Sequence, residues 1–315
     1  MLRDLVELAG DSTPTSGVGP GDDAAGWRAA PGGLVLWSTD TLCEEVDFRR
    51  RYQTPYQLGW KAWMAALSDL SAMGAIPRGG LVAASIPADT GTRALHAIQL
   101  GLVEAAAGDD AVVMGGDLGR TDGPLTLTVT VMGEVLDGSP LLLSGGGPGD
   151  CIVVTGALGM AAAALECLER GAQPVPKNWQ DKLLMPSSRV TAGSALRRGG
   201  ASALTDLSDG LLLGLSRLCQ ASGVGAELWL DRLPVGHGLE ATGRAVELAL
   251  TGGEDFELLA TIPQALAGGL LRGWDPGLPR LTVLGRLTAG EGTQLFRAQG
   301  GEPVENRSGE GYRHF

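Results

Sequence analysis

A chain of 315 residues with ordinary apolar content has length for about two domains, each able to bury its own core. A formal charge of −12 and only three lysines, Lys61, Lys177 and Lys182, exclude nucleic acid and anionic membrane as expected partners, because phosphate surfaces are bound by clustered Lys and Arg. No apolar run approaches the ~18 residues that span a bilayer, and the acidic start with its single Arg3 is no secretory signal, so a soluble cytoplasmic protein is expected.

Residues 1–10 have the pattern of a short amphipathic helix, and 11–20 form a Gly/Pro/Ser/Thr loop that leads into GDDAA, with Asp22 and Asp23 in a turn-like setting. LVLWSTD, residues 34–40, follows. Four large apolar residues bounded by Gly33 predict a buried strand, and Ser38, Thr39 and Asp40 then stand at its carboxyl end, where α/β proteins collect ligands. These three side chains offer only oxygen, which suits hard cations such as Mg²⁺. An acidic loop with Glu44, Glu45 and Asp47 comes next. Thr54 and Pro55 open a helix to about Met73 that stops at Gly74, with Leu58, Ala62, Met64, Ala65, Leu67 and Leu70 as its buried stripe. Asp69 sits in that helix, and its neighbours Leu67 and Leu70 argue against full exposure.

A strand is expected over 80–87 and a helix over 91–107. AVVMGGD, 111–117, repeats the earlier design: an apolar strand, two glycines, then Asp117, the glycines allowing a ligand close to the backbone. LTLTVTVMGEV, 125–135, alternates with period two and predicts a strand with unlike faces. The Gly/Pro/Ser-rich stretch 137–149 is the linker candidate. It divides a first domain, 1–137, from a second, 149–315. The second starts with strand CIVVTG at 151–156, followed by helices near 158–170 and 181–198. A short strand then ends in Asp206, Ser208 and Asp209, with Gly210 opening a helix whose N-terminus could hold a phosphate. A strand at 226–230 precedes LTGGEDFELLATIP, which puts Gly252, Gly253 and Glu254 before another strand. A helix over 263–273, strands at 279–287 and 294–298, and the aromatic tail GYRHF complete the chain.

No lysine stands in a GxxxxGK[ST] loop, so a P-loop is excluded. The four cysteines form no CxxC pair and the three histidines are too scattered for zinc. What recurs is a carboxylate beside Gly, Ser or Thr: Asp23, Asp40, Asp69, Asp117, Asp206 and Asp209. If they converge, mutual repulsion and desolvation raise their pKa values unless cations are present, and Mg²⁺ would relieve this while holding polyphosphate oxygens. Phosphoryl transfer by positioning and metal charge is then within reach without a P-loop. Spacing alone leaves the alternative open, that these are six separate turn and cap residues.

The motifs GDDAA (21–25), STDTL (38–42), ALSDLSAMGA (66–75), GGD (115–117), PGD (148–150), DLSDGL (206–211), LTGGEDFEL (250–258) and GYRHF (311–315), in this order, resemble the thiamine-monophosphate kinase family. That family is grouped with aminoimidazole ribonucleotide synthetase, selenophosphate synthetase and the hydrogenase maturation dehydratase. The resemblance implies ATP-dependent phosphorylation of thiamine monophosphate to thiamine diphosphate with several Mg²⁺ ions, by direct transfer with no side-chain nucleophile. It implies two α/β domains with mixed sheets, the N-terminal sheets of two copies pairing into a barrel in a homodimer. The family's metal ligands fall on Asp23, Ser38, Thr39, Asp40, Asp69, Asp117, Asp206 and Asp209, its nucleotide contacts on Gly116, Asp117 and Ser208, and its substrate contacts on Glu254 and Tyr312. Two positions depart from the family. Asp47 replaces a usual His in the loop after STD and is taken as substrate-facing, and Leu143 replaces a usual Arg before the PGD segment. Arg49, Arg50, Arg51 and Arg120 are the candidates to compensate. A synthetase or dehydratase of the same group, or a non-catalytic nucleotide-binding relative, is the alternative. A selenophosphate synthetase would carry a reactive Cys in a Gly-rich N-terminal segment, and none precedes Cys43.

Overall fold

The computed structural model describes residues 29–172 and 174–304. They divide into two compact units. The first includes residues up to Leu70, Ala75–Ser139 and Leu184–Val190, and the second Ser71–Gly74, Pro140–Leu183 and the chain from Thr191.

The first unit is a four-stranded mixed sheet with two helices. In chain order these are β1 (Leu34–Cys43), α1 (Pro55–Ala72), β2 (Ile76–Pro87), α2 (Thr92–Ala107), β3 (Val112–Thr121) and β4 (Thr126–Val135). The strand order is β1-β4-β2-β3, with β2 and β3 parallel and the other pairs antiparallel. The parallel pair is joined by α2, the long crossover that a parallel pair requires. α1 starts on a reciprocal cap: the Thr54 backbone N–H donates to Gln57 Oε1 at 2.9 Å, and the Gln57 N–H to Thr54 Oγ1 at 3.3 Å. Its apolar stripe of Leu58, Ala62, Leu67 and Leu70 packs on Leu127, Val129 and Val131 of β4. The alternate residues Thr128 and Thr130 face the other way, where they meet Thr41 and Thr39 of β1 at 2.9 and 3.0 Å. This second face carries exposed Trp37 and Leu81.

The second unit is built on a seven-stranded sheet. Its elements are β5 (Cys151–Thr155), α3 (Met160–Glu169), α4 (Lys177–Leu184), α5 (Val190–Arg198), β6 (Ala203–Asp206), α6 (Leu211–Ser222), β7 (Gly225–Trp229), α7 (Ala245–Thr251), β8 (Leu258–Ile262), α8 (Gln264–Arg272), β9 (Leu281–Thr288), β10 (Thr293–Phe296) and β11 (Pro303–Val304). The strand order is β11-β10-β7-β9-β5-β8-β6, antiparallel except for β7 beside β10. Apolar cores lie on both faces. Ile152 and Val154 of β5 pack with Leu211, Leu215 and Leu218 of α6 on one side, and Val153 packs with Ala192, Leu196 and Ala267 on the other. Burial on both faces is why β5 and β8 are continuous apolar runs without alternation.

Four expectations change. Ser38, Thr39 and Asp40 stand inside β1, which pairs with β4 as far as Cys43, and Asp117 stands inside β3, which pairs with β2 as far as Thr121, so neither set is at a strand end. β2 begins at Ile76, ahead of the expected residue 80, because Pro77 and Gly79 sit at a register shift that hides the strand signal. The single helix expected over 181–198 is two, α4 and α5, separated at Pro186, which cannot continue a helix. Helix α7 and the two-residue strand β11 were not expected from the sequence. Residues 1–28, with Asp23 and the expected amphipathic helix, and the aromatic tail, with Tyr312, lie outside the described residues. No helix among the described residues is long and apolar enough to cross a membrane.

Candidate functional site

In the first unit the β1 alternation puts Ser38 and Asp40 on the face that also carries Leu36 and Leu42, toward the helices. Asp69 reaches the same face from α1, and its Oδ2 accepts a very short hydrogen bond from the Ser38 hydroxyl. It is the one exposed residue between Lys61 and Leu70. Packed protein around the carboxyl nevertheless raises its pKa by desolvation, against a smaller lowering by Ser38. Asp69 is therefore crowded yet open on one side. Asp40 Oδ1 accepts the Thr41 N–H at 2.8 Å. Thr39 points to the opposite face and pairs with Thr130.

Asp117 and Gly116 lie on β3. The register runs Asp40, Val129, Val82, Gly116 across one row of the sheet, and Thr41, Thr128, Ala83, Asp117 across the next. Asp40 and Asp117 are thus at opposite edges, three strand spacings or roughly 14 Å apart, too far to share an ion within this unit. Gly116 is required by sterics: a Cβ there would lie 1.9 Å from the Val82 carbonyl oxygen. The structure brings Ser38 and Asp69 together and Asp40 to their face; it does not bring Thr39 or Asp117 to them.

Asp47, the departure from the family pattern, closes its own loop. Its Oδ2 accepts the Cys43 N–H at 2.8 Å, and its N–H donates to the Cys43 carbonyl at 2.9 Å. Nearby arginines are partly committed. Arg49 pairs with Glu45 at 3.1 Å, Arg50 with Glu44 at 2.8 Å and Asp89 at 3.3 Å, and Arg51 lies over the Tyr52 ring. Arg120 lines a cavity of about 330 Å³ with Ile86, Leu95 and Leu118.

In the second unit β6 ends at Asp206, and Ser208 and Asp209 lead through Gly210 into α6. The loop 252–257 is stitched to this segment by three backbone hydrogen bonds. Leu207 N–H donates to Glu257 O at 2.8 Å, Phe256 N–H to Leu207 O at 2.9 Å, and Glu254 N–H to Ser208 O at 2.6 Å. Two motifs more than forty residues apart therefore form one structure, which gathers Asp206, Ser208, Asp209 and Glu254. The join holds Glu254 at φ 64° and Phe256 at φ 46°, a left-handed conformation that non-glycine residues seldom adopt and that concentrates at functional sites. Asp209 also pairs with Arg217, two turns into α6, at 2.8 Å. Arg217 went unnoticed in the sequence, although an arginine eight residues past an N-terminal Asp on a helix was a usable signal.

Among the described residues no three His, Cys, Asp or Glu side chains are gathered so as to hold a metal by themselves. Mg²⁺ does not ask for that. It is commonly held by one or two carboxylates with water and substrate phosphates. The oxygen-only set Ser38, Asp40 and Asp69, with one desolvated carboxylate, fits it in donor chemistry.

The chain matches the family model of AIR synthase related protein, N-terminal domain, over residues 21–135, and that of the C-terminal domain over 147–297. It is 37% identical over 310 residues to the thiamine-monophosphate kinase of Escherichia coli strain K12, covering 95% of this chain and 92% of that protein. It is 35% identical over 251 residues to that of Bacillus subtilis, covering 78% and 77%. A thiamine-monophosphate kinase structure from Stenotrophomonas maltophilia superposes with TM-score 0.81 at 34% identity, covering 96% and 95% of the two chains. The structure of AaThiL complexed with AMPPCP and TMP superposes with TM-score 0.79 at 29% identity, covering 91% and 89%. The hydrogenase maturation protein HypE in complex with ATP, at 16% identity, TM-score 0.76 and coverage of 96% and 92%, shares the fold.

Proposed function

The chain belongs to the thiamine-monophosphate kinase family, within the AIR synthase related proteins, and from that premise we propose that it transfers the γ-phosphoryl group of ATP to thiamine monophosphate, giving thiamine diphosphate and ADP. The observation that carries the reading is the pairing of Ser38 and Asp69, from two family motifs 31 residues apart, on the face of β1 that also bears Asp40. Oxygen ligands on one face of β1 and α1, in a chain without a P-loop lysine, suit a kinase that handles polyphosphate through cations.

Several Mg²⁺ ions belong to the proposal. Asp40, Asp69 and Ser38 would hold them in the first unit, with Asp23 as a further ligand; Asp117, at the other edge of the sheet, would serve a separate ion, and Thr39, which faces away and pairs with Thr130, is not kept in the set. Asp206 and Asp209 would do so in the second. When bound, such ions screen the phosphate charges and stabilise the charge that develops on the transferring group. Gly116, Asp117 and Ser208 are assigned to the nucleotide. Gly116 is fixed by its close approach to the Val82 carbonyl of β2, and the Ser208 carbonyl fixes the loop that carries Glu254. Glu254 and Tyr312 are assigned to the thiamine moiety, where a carboxylate can pair with the cationic thiazolium and an aromatic ring can stack. Asp47 holds its loop through Cys43, so its part in substrate binding is to shape that loop. No side chain is assigned as nucleophile, and transfer is direct between the two phosphates. Two copies would pair through the faces carrying Trp37 and Leu81, closing a barrel in a homodimer. A cytoplasmic location goes with ATP as co-substrate.

The test is to mix the purified protein with ATP, Mg²⁺ and thiamine monophosphate. Thiamine diphosphate and ADP in equal amounts are expected. ADP and free phosphate without thiamine diphosphate would turn the reading toward a synthetase or dehydratase, and nucleotide binding without product toward a non-catalytic relative.

A further inference from the structure

The loop that carries Glu254 is tied down a second time, from below. Asp255 is 2% exposed, its Oδ2 accepts the Gly159 N–H at 2.8 Å, and its Oδ1 is buried without a hydrogen-bond partner. Gly159 is the N-cap residue of α3, which has no side-chain cap of its own. Asp255 thus caps the start of α3 from almost a hundred residues away in sequence, and it satisfies one donor at the helix start that would otherwise be left unpaired.

The other side of the loop rests on a buried ionic group. Lys182 of α4 forms a very short ion pair with Glu257, which is fully buried, and also reaches the Asp255 carbonyl oxygen at 3.5 Å. Thr155 of β5 donates to Glu257 Oε2 at 2.7 Å and accepts the Leu258 N–H at 2.8 Å. Fixed partners from α3, α4 and β5 therefore meet on Asp255 and Glu257. The residues between and before them, Glu254 and Phe256, hold the strained left-handed conformation. Strain of this kind persists only where surrounding bonds over-determine it.

We propose that Asp255 is a positioning residue for the thiamine phosphate substrate: by capping α3 it locks the backbone turn that presents Glu254, with Lys182 and Glu257 as the second anchor. This rests on the assignment of Glu254 to the substrate. The effect is carried through backbone, so Asp255 itself touches no substrate.

The full-length protein tests it with Asp255→Ala, Asp255→Asn and Glu254→Gln. Two readouts are needed: hydrogen exchange of the 252–257 and 207–209 amides, and kcat and KM for both substrates. Asp255→Ala should speed exchange in those two segments while β2 and β4 stay protected. It should raise KM for thiamine monophosphate about tenfold or more, the size expected for losing a charge-assisted contact, and leave KM for ATP unchanged. Asp255→Asn keeps a carbonyl oxygen for the Gly159 N–H and should restore most of both properties, including in the case where the alanine variant fails to fold. Folded Asp255→Ala with exchange unchanged overturns the proposal whatever Glu254 does. Raised exchange with unchanged KM for thiamine monophosphate, in a protein where Glu254→Gln does raise it, also overturns the proposal and leaves the substrate assignment standing. Glu254→Gln without effect on that KM removes the substrate assignment, and with it the claim that the locked turn serves substrate.

Discussion

Asp69 and Asp255 are both carboxylates crowded by protein, and their surroundings predict opposite behaviour. Asp69 keeps an open side, and only the Ser38 hydroxyl offsets the desolvation that raises its pKa. A cation there would favour the ionised form. Asp69→Asn should therefore cut phosphoryl transfer by roughly 100-fold or more, the scale seen when one transition-state charge contact is removed. It should leave the melting temperature level or slightly higher, since an uncompensated charge is lost. Turnover within a few-fold of the parent protein would sink its assignment as a ligand. Asp255 is closed in, and burial pushes its carboxyl up to about 7, with Glu257 adding to the rise while the Gly159 N–H and Lys182 oppose it. The folded chain then keeps this proton to a higher pH than the unfolded chain does. The contribution to stability is present in full below about pH 4 and is lost as pH climbs toward 7. Asp255→Asn should remove that slope. In urea titrations it should gain on the parent protein between pH 5 and pH 8, whereas two curves that stay parallel would show that the carboxyl does not titrate there.

At the scale of elements, the pairing of α1 with α2 depends on two glycines. A Cβ at Gly59 would lie 2.0 Å from the Ile98 carbonyl oxygen, and one at Gly101 would lie 2.1 Å from that of Tyr56. Neither neighbour is a flexible side chain, so the helices must separate to admit a methyl group. Gly59→Ala should cost at least about 2 kcal/mol, against the roughly 1 kcal/mol it would gain as a better helix former in open space. Chemical denaturation would show a lowered midpoint, and an unchanged one would mean that the helices slide freely. α1 was legible in the sequence because its signals are local: the Thr54 and Pro55 start, the apolar stripe, the Gly74 stop. β2 was partly hidden because Pro77 and Gly79 carry no strand propensity and are held by pairing with β4. The break at Pro186 was written in the sequence but overridden by the helical pattern on both sides. The site was legible as motifs and not as contacts. Which of six carboxylates meets Ser38, or that the DLSDG and GGED segments share backbone hydrogen bonds, is decided by strand order and register. Local spacing holds no information about either. Asp255 was missed for the same reason, since a helix cap supplied from a distant loop leaves no mark near the helix.

At the scale of the whole molecule, the first unit's sheet has one face filled by helices, and among the described residues no helix covers the other. Trp37 is 57% exposed on β1, and Leu81 is exposed on β2 beside the Thr39–Thr130 and Thr41–Thr128 pairs. An exposed tryptophan and leucine on a flat β surface favour association of that face with another apolar surface. A homodimer in which this face meets its copy would bury the indole, and aromatic side chains are enriched at interfaces and carry much of their binding energy. Trp37→Glu places two like charges across such an interface, related by the two-fold axis, without disturbing the core on the opposite face of β1. Sedimentation equilibrium should find the parent protein near twice the mass of its 32.3 kDa chain and the variant shifted toward a single chain, with circular dichroism unchanged. A variant that stays dimeric at micromolar concentration would place the interface elsewhere. A parent protein that is itself monomeric would remove the barrel.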